Sequence, residues 1–173
     1  MKIIFTVALA MILSVSFGQT KKELKQQKRL EDKAENLELI NNKTWVLEIN
    51  LVYDKQMNPY SLSSVTNFIM VEGDLITIQL TFMGLPDWNG IGGITLEGDM
   101  SKYEIKENKD AKPVDLTIFA LGSAMGNVTL FGSIDSYKQG RFTYTDARGS
   151  QITLTGEFFS FEDSRIYKSS RSF

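Results

Sequence analysis

Histidine and cysteine are both absent from the 173-residue chain. Without histidine there is no Ser–His or Cys–His nucleophile system, and the commonest side-chain acid–base catalyst is missing. Most zinc, copper and non-haem iron sites lose their usual ligand as well. Without cysteine there is no disulfide, and no residue that a lipoprotein could acylate at its cleavage site, so no lipid anchor is expected. A basic excess is also lacking: 19 Lys and Arg stand against 21 Asp and Glu, a net charge of −2. A nucleic-acid partner would want a basic face, and anionic lipid a polybasic one. The chemistries left open are carboxylate pairs, Ser–Lys pairs, tyrosine and an oxygen-ligand cation such as calcium.

What is present is ordinary globular material, 42% hydrophobic and 23% charged, in a length suited to one domain that needs no covalent staple. The first residues set the expected compartment. Met1-Lys2 is a short positive start, "IIFTVALAMILSVSF" an apolar middle, and Ser16 and Gly18 a small-residue exit. These are the parts of a secretory signal peptide, and the apolar run is short for a membrane span. Residues 1–18 are therefore expected to be removed after Gly18, which takes away Lys2 and leaves a net charge of about −3. The predicted location is outside the cytoplasm, periplasmic or associated with the cell envelope.

Residues 19–43 predict an N-terminal charged helix, rich in Lys, Glu, Gln and Leu. Leu30, Ala34, Leu37 and Ile40 or Asn41 recur at helical spacing and are expected to dock it. Before them only Leu24 is apolar, so the first half is expected to face water while the helix covers one end of the domain.

From Thr44 the period changes to two. "TWVLEINLVY" puts Trp45, Leu47, Ile49, Leu51 and Tyr53 on one face, and "LITIQLTF" does the same for Ile76, Ile78, Leu80 and Phe82. "VDLTIFAL", "NVTLFGSI", "GRFTYTD" and "SQITLTGEF" follow in the same style. Residues 44–173 thus predict a mainly β, antiparallel domain, a sandwich or barrel of about eight or nine strands. Turns are expected at "VEGDL" (71–75), "LEGDM" (96–100), "ENKDAKP" (107–113), "YKQGR" (137–141) and "DARGS" (146–150), with glycine at the positive-φ position of the last two.

Two motif readings of the glycine-rich stretch fail on spacing. "DWNG" opens like a calcium loop, but the twelfth position from Asp87 is Gly98 rather than glutamate. "GIGG" at 90–93 starts a dinucleotide fingerprint, but Thr95 occupies the third glycine position and a strand follows, not a helix. Asp74, Asp87, Asp99, Asp110, Asp135 and Asp146 lie in turn-like contexts, where aspartate bonds its own backbone. They do not read as the paired acids of a glycosidase. No catalytic residue, metal or cofactor is expected, and the chain is read as a non-enzyme.

The segments "TWVLEINLVY", "SLSSVTNFIMVEGDLITIQLTFMG", "GIGGITLEG" and "GNVTLFGSIDSYKQGRFTYTD" resemble a family of secreted proteins from Bacteroides- and Flavobacterium-type bacteria, domain of unknown function 4251. The resemblance covers residues 30–146. Its heaviest part is "NFIMVEGDLITIQLTFMG", where Leu80, Phe82 and Gly84 keep the family's strand-end motif and Thr81 stands at its proline position. The resemblance implies export and a small domain, and supplies no activity and no site residue.

Site candidates therefore come from residue character alone. Gly84 to Gly93 form a corner whose tryptophan either plugs the core or lines a ligand-facing lip. Phe82, Met83 and Trp88 are the candidate contacts for a small apolar ligand, with Phe131 and Tyr144 as wall residues. The expected function is a binding domain of the envelope. The alternatives are a structural protein acting only through contacts with an envelope protein, a small outer-membrane barrel, and a carboxylate-based hydrolase.

Overall fold

Alternation of apolar and polar residues gives each strand one face for a core and one for water. The computed structural model of the chain, which describes residues 21–81, 94–122 and 126–166, shows how those faces are used. Helix α1 (Lys21–Asn42) precedes nine strands: β1 (Thr44–Tyr53), β2 (Pro59–Ser61), β3 (Phe68–Glu72), β4 (Leu75–Leu80), β5 (Ile94–Lys106), β6 (Val114–Gly122), β7 (Gly126–Ile134), β8 (Gln139–Thr145) and β9 (Gln151–Phe159). Each pairs antiparallel with its neighbour in the order β2-β1-β3-β4-β5-β6-β7-β8-β9, and β1 also pairs with β9. Eight strands thus close into a barrel and β2 is an addition, paired to the far half of β1 beyond the reach of β3. Closure removes the open edges that a sandwich would have to protect.

The barrel interior is the core. Trp45, Leu47, Ile49, Val52, Ile69, Ile78, Leu116, Ile118, Phe142, Tyr144, Leu154 and Phe158 are all fully buried. Trp45 stacks on Phe142 at 6.1 Å between ring centres and leans on Phe158 at 5.6 Å. The outer face of β5 is polar by contrast: Glu97, Asp99, Lys102, Glu104 and Lys106 are exposed.

Four sequence expectations change. In β1 the alternation does not run through, because the register to β9 slips between Ile49 and Leu51. The extra residue, Asn50, turns Val52 inward and leaves Leu51 and Tyr53 outside. The "LEGDM" stretch is not a turn but part of the 13-residue β5. Gly98 is there because a Cβ would sit 2.1 Å from the carbonyl oxygen of Leu121 on the next strand. In the 137–141 link, the positive φ belongs to Lys138, not Gly140. Gly140 faces the interior, where a Cβ would meet Leu47 at 2.4 Å.

The fourth change concerns α1. Leu30 is 44% exposed and Ala34 is exposed, so the expected apolar stripe docks only through its second half, Leu37 and Ile40. The face turned to the barrel carries Arg29, Lys33, Asn36 and Ile40, the last three buried. The reason is the surface it meets: loop carbonyls at the barrel end want donors, while Ile40 joins the hydrophobic core and Leu37 and Leu39 pack against it.

Three hairpin turns share one geometry. Asp54, Asp135 and Asp146 each accept hydrogen bonds through a single carboxylate oxygen, Oδ1, from the backbone N–H groups two and four residues on, at 2.8–2.9 Å. The residue three positions on has positive φ: Met57 (65°), Lys138 (60°) and Gly149 (79°).

Candidate functional site

The two ends of the barrel are built differently, and the difference defines the candidate site. At one end α1 is tied across the loops. Lys33 Nζ donates to the carbonyls of Asn108 and Asp110, the latter at 2.8 Å, and pairs with Glu107 at 3.5 Å. Asn36 Nδ2 donates to the Asp135 carbonyl at 2.9 Å, and Glu35 pairs with Lys138 at 3.1 Å. The Arg29 guanidinium lies 4.7 Å over the Tyr137 ring. Inside, the Tyr103 hydroxyl donates to the Ile40 carbonyl at 2.8 Å and accepts from Trp45 Nε1 at 3.0 Å. Burial pushes the Tyr103 phenol up to about 12, with the Trp45 bond working the other way. A neutral hydroxyl is what this relay needs, since it both donates and accepts.

The opposite end is where β4 ends and β5 begins, with Leu80 paired to Ile94. Toward that end the inward side chains are Val52, Leu80, Leu96, Val128 and Ile152, all buried, and Tyr144. The wall these residues form is therefore aliphatic with one phenol, and Asn67, 1% exposed, lies at the same end with its amide hydrogen-bonded to Ser63 and Thr81. Burial raises the Tyr144 hydroxyl to about 12, and the negative Asp146 beside it adds to the effect. Such a group stays neutral and is a donor and acceptor in apolar surroundings.

Of the candidate contacts, Phe82, Met83 and Trp88 lie outside the described residues. Phe131 and Tyr144 sit on neighbouring strands but face opposite ways. Leu130 pairs with Tyr144 and Phe131 with Thr143, so Tyr144 is buried inside while Phe131 is 60% exposed on the outer wall. The structure does not bring these two together. Phe131 instead shares the outside with Phe119 and Leu121 of β6, 37% and 59% exposed.

Residues that reading the apolar pattern missed are the polar ones. Lys33 and Asn36 repeat at helical spacing with Arg29 and Ile40, a signal that appears only when donors are counted along with apolar residues. Glu48 is polar at an outward β1 position and yet 1% exposed, held by Arg165. Nothing near it in sequence marks that pairing.

Among the described residues no group of three His, Cys, Asp or Glu side chains could hold a metal ion. Asp54, Asp135 and Asp146 spend carboxylate oxygens on turn amides.

A solved relative shares the architecture. The crystal structure of a DUF4251 family protein from Bacteroides eggerthii superposes with a TM-score of 0.68 at 22% identity, covering 80% of this chain and 95% of that one. No curated protein matches the chain. The family model for the domain of unknown function DUF4251 matches residues 25–158, from within α1 to the end of β9, and the chain belongs to that family.

Proposed function

We propose that the protein is an exported, non-enzymatic component of the bacterial cell envelope that binds a small apolar ligand in its barrel, admitted at the end opposite α1. The observation that carries this reading is the asymmetry of the two ends. One is fastened by a helix, and the other has a largely aliphatic inner wall with the Tyr144 phenol as a polar handle. Eight-stranded barrels are of a size that either fills with side chains or holds one small ligand. A few placed polar groups in an apolar wall are the usual means of orienting such a ligand.

Export rests on the leader-like residues 1–18, and the non-enzymatic role on the missing histidine and cysteine. The barrel is apolar inside and, on β5, charged outside. That polarity is the reverse of a lipid-facing barrel, which carries its apolar band outward.

The test is a titration of the chain from Gln19 with fatty acids and bile-type amphiphiles, followed by tryptophan fluorescence. A Trp88→Phe variant separates the signal of Trp45. A saturable shift is expected for at least one amphiphile, weakened about 10-fold by Tyr144→Phe through loss of one buried hydrogen bond. No shift with any of them would remove the ligand. Expression with the leader, followed by cell fractionation and mass determination of the amino terminus, tests export.

A second reading, contact with another envelope protein, is favoured by one observation: Phe119, Leu121 and Phe131 are exposed together on the outer wall of β6 and β7. Apolar neighbours grouped outside a barrel are characteristic of interaction surfaces. Phe131→Ser would abolish partner capture on this reading and leave amphiphile binding intact.

A further inference from the structure

Glu48 is a carboxylate buried outside the barrel core. It points from the outer face of β1, is 1% exposed, and has Phe68 of β3 and Glu157 of β9 as its cross-strand neighbours. Val46, two residues earlier on the same face, and Phe68 are also buried, and neither belongs to the core cluster inside the barrel. The outer wall thus has its own small apolar patch with an acid at its centre and a second acid beside it.

The described partner of that acid comes from far along the chain. After β9, Ser160 opens a turn in which its hydroxyl bonds Asp163 Oδ2 at 2.8 Å and accepts from the Asp163 N–H at 3.2 Å. This is a capped helical turn of the S-x-x-D kind. It reverses the chain, and Arg165 arrives over Glu48. The Arg165 backbone N–H donates to Glu48 Oε1 at 2.5 Å, and Nη2 donates to Oε2 at 3.1 Å. The Arg165 side chain itself is 67% exposed. A single guanidinium therefore faces Glu48 from the water side.

We propose that the outer wall at Glu48 is a docking site for an arginine-bearing segment, filled here by the chain's own C-terminal segment from Ser160 and released by it without unfolding of the barrel. Three features point to a docked segment rather than to a ninth member of the ring. Residues 160–166 form no strand pairing. Arg165 meets Glu48 through one backbone amide and one exposed side chain. The charges are complementary, the Arg165 cation to the Glu48 acid. On release, Glu48 regains water, so the cost of opening is confined to the patch around Val46 and Phe68.

Two measurements on the full chain decide this. In amide hydrogen exchange, the Arg165 N–H is expected to exchange roughly 100-fold faster than the Leu154 N–H in the centre of β9, through local opening. Glu48→Gln should speed Arg165 by about a further 10-fold without moving Leu154. Equal protection of the two amides would mean that the segment opens only with the barrel, and would overturn the proposal. In the second measurement, a labelled synthetic peptide of residues 160–173 is titrated into the full-length Arg165→Ala chain. Capture at least about 10-fold tighter than by the wild-type chain is expected, because the occupying segment has lost its side-chain anchor. Equal or absent binding to both chains would overturn the docking site.

Discussion

The Tyr103 hydroxyl donates to the Ile40 carbonyl at 2.8 Å across a separation of 63 residues, and so fastens the last turn of α1 to the inner wall of β5. The same oxygen accepts from Trp45 Nε1, so one phenol serves the helix and the aromatic floor together. Tyr103→Phe leaves the indole N–H without that partner in a buried place. It is expected to destabilise the protein by about 1–3 kcal/mol, the usual cost of an orphaned buried donor. Denaturant unfolding followed by tryptophan fluorescence checks it.

Tyr103 and Tyr144 also set an alkaline limit. Both phenols are raised from an ordinary value of 10 to about 12 in the folded protein, by burial first. A group whose folded value is raised keeps its full stabilisation below the unfolded value and loses it as the pH climbs to the folded one. Stability is therefore expected to be unaffected by these groups below pH 10 and to fall between pH 10 and 12, by roughly 2 kcal/mol for each tyrosine. Unfolding midpoints across that window test this, and the double Tyr→Phe variant should flatten the slope.

Lys33 joins a buried ammonium to two loop carbonyls and Glu107. Lys33→Met keeps the helix-forming stem and removes the donors. Undocking of α1 is expected, at a cost of about 2–3 kcal/mol for charged hydrogen bonds lost at a buried site. Faster proteolysis within Lys21–Asn42 would report it, with the barrel still intact.

Met57 and Lys138 occupy the positive-φ position that Gly149 fills in the third aspartate turn. A side chain there costs about 1–2 kcal/mol, partly offset because glycine is freer when unfolded. Met57→Gly, at a 52% exposed site, is expected to raise stability by about 0.5–1 kcal/mol. Lys138→Gly should gain less, since it also breaks the pair with Glu35. Thermal melts of the two variants separate the effects.

Gly156 and Gly140 differ in what a methyl group would meet. At Gly156 it would lie 2.1 Å from the Glu48 carbonyl oxygen, and at Gly140, 2.4 Å from a leucine methyl of Leu47. Backbone across a sheet cannot yield as a side chain can. Gly156→Ala is therefore expected to cost about 3 kcal/mol or more and Gly140→Ala about 1–2 kcal/mol. Comparing their denaturation midpoints tests the order.

Alternation alone made the β class legible, along with the inward faces of β4 and β6 and the turn at Asp146, because side-chain direction along a strand is a local property. The same local signal gave the helix its extent. It could not give the helix its docking face, which depends on carbonyls 77 and 99 residues away from Lys33 and Asn36. Nor could it place the bulge at Asn50 or separate the inward Tyr144 from the outward Phe131 as site residues, since both depend on how each strand registers with its neighbours.

By itself the amino-acid sequence determined that this chain forms antiparallel strands after a charged helix, and that histidine- and thiol-based chemistry is closed to it. Those follow from residue type and spacing. The tertiary structure decided that the sheet closes on itself through β1 and β9, that polar residues help Ile40 seat the helix, and that Glu48 is buried beneath Arg165. Each of these depends on groups that meet only when distant strands pair, where the energy of burial and of hydrogen bonding outweighs any local preference.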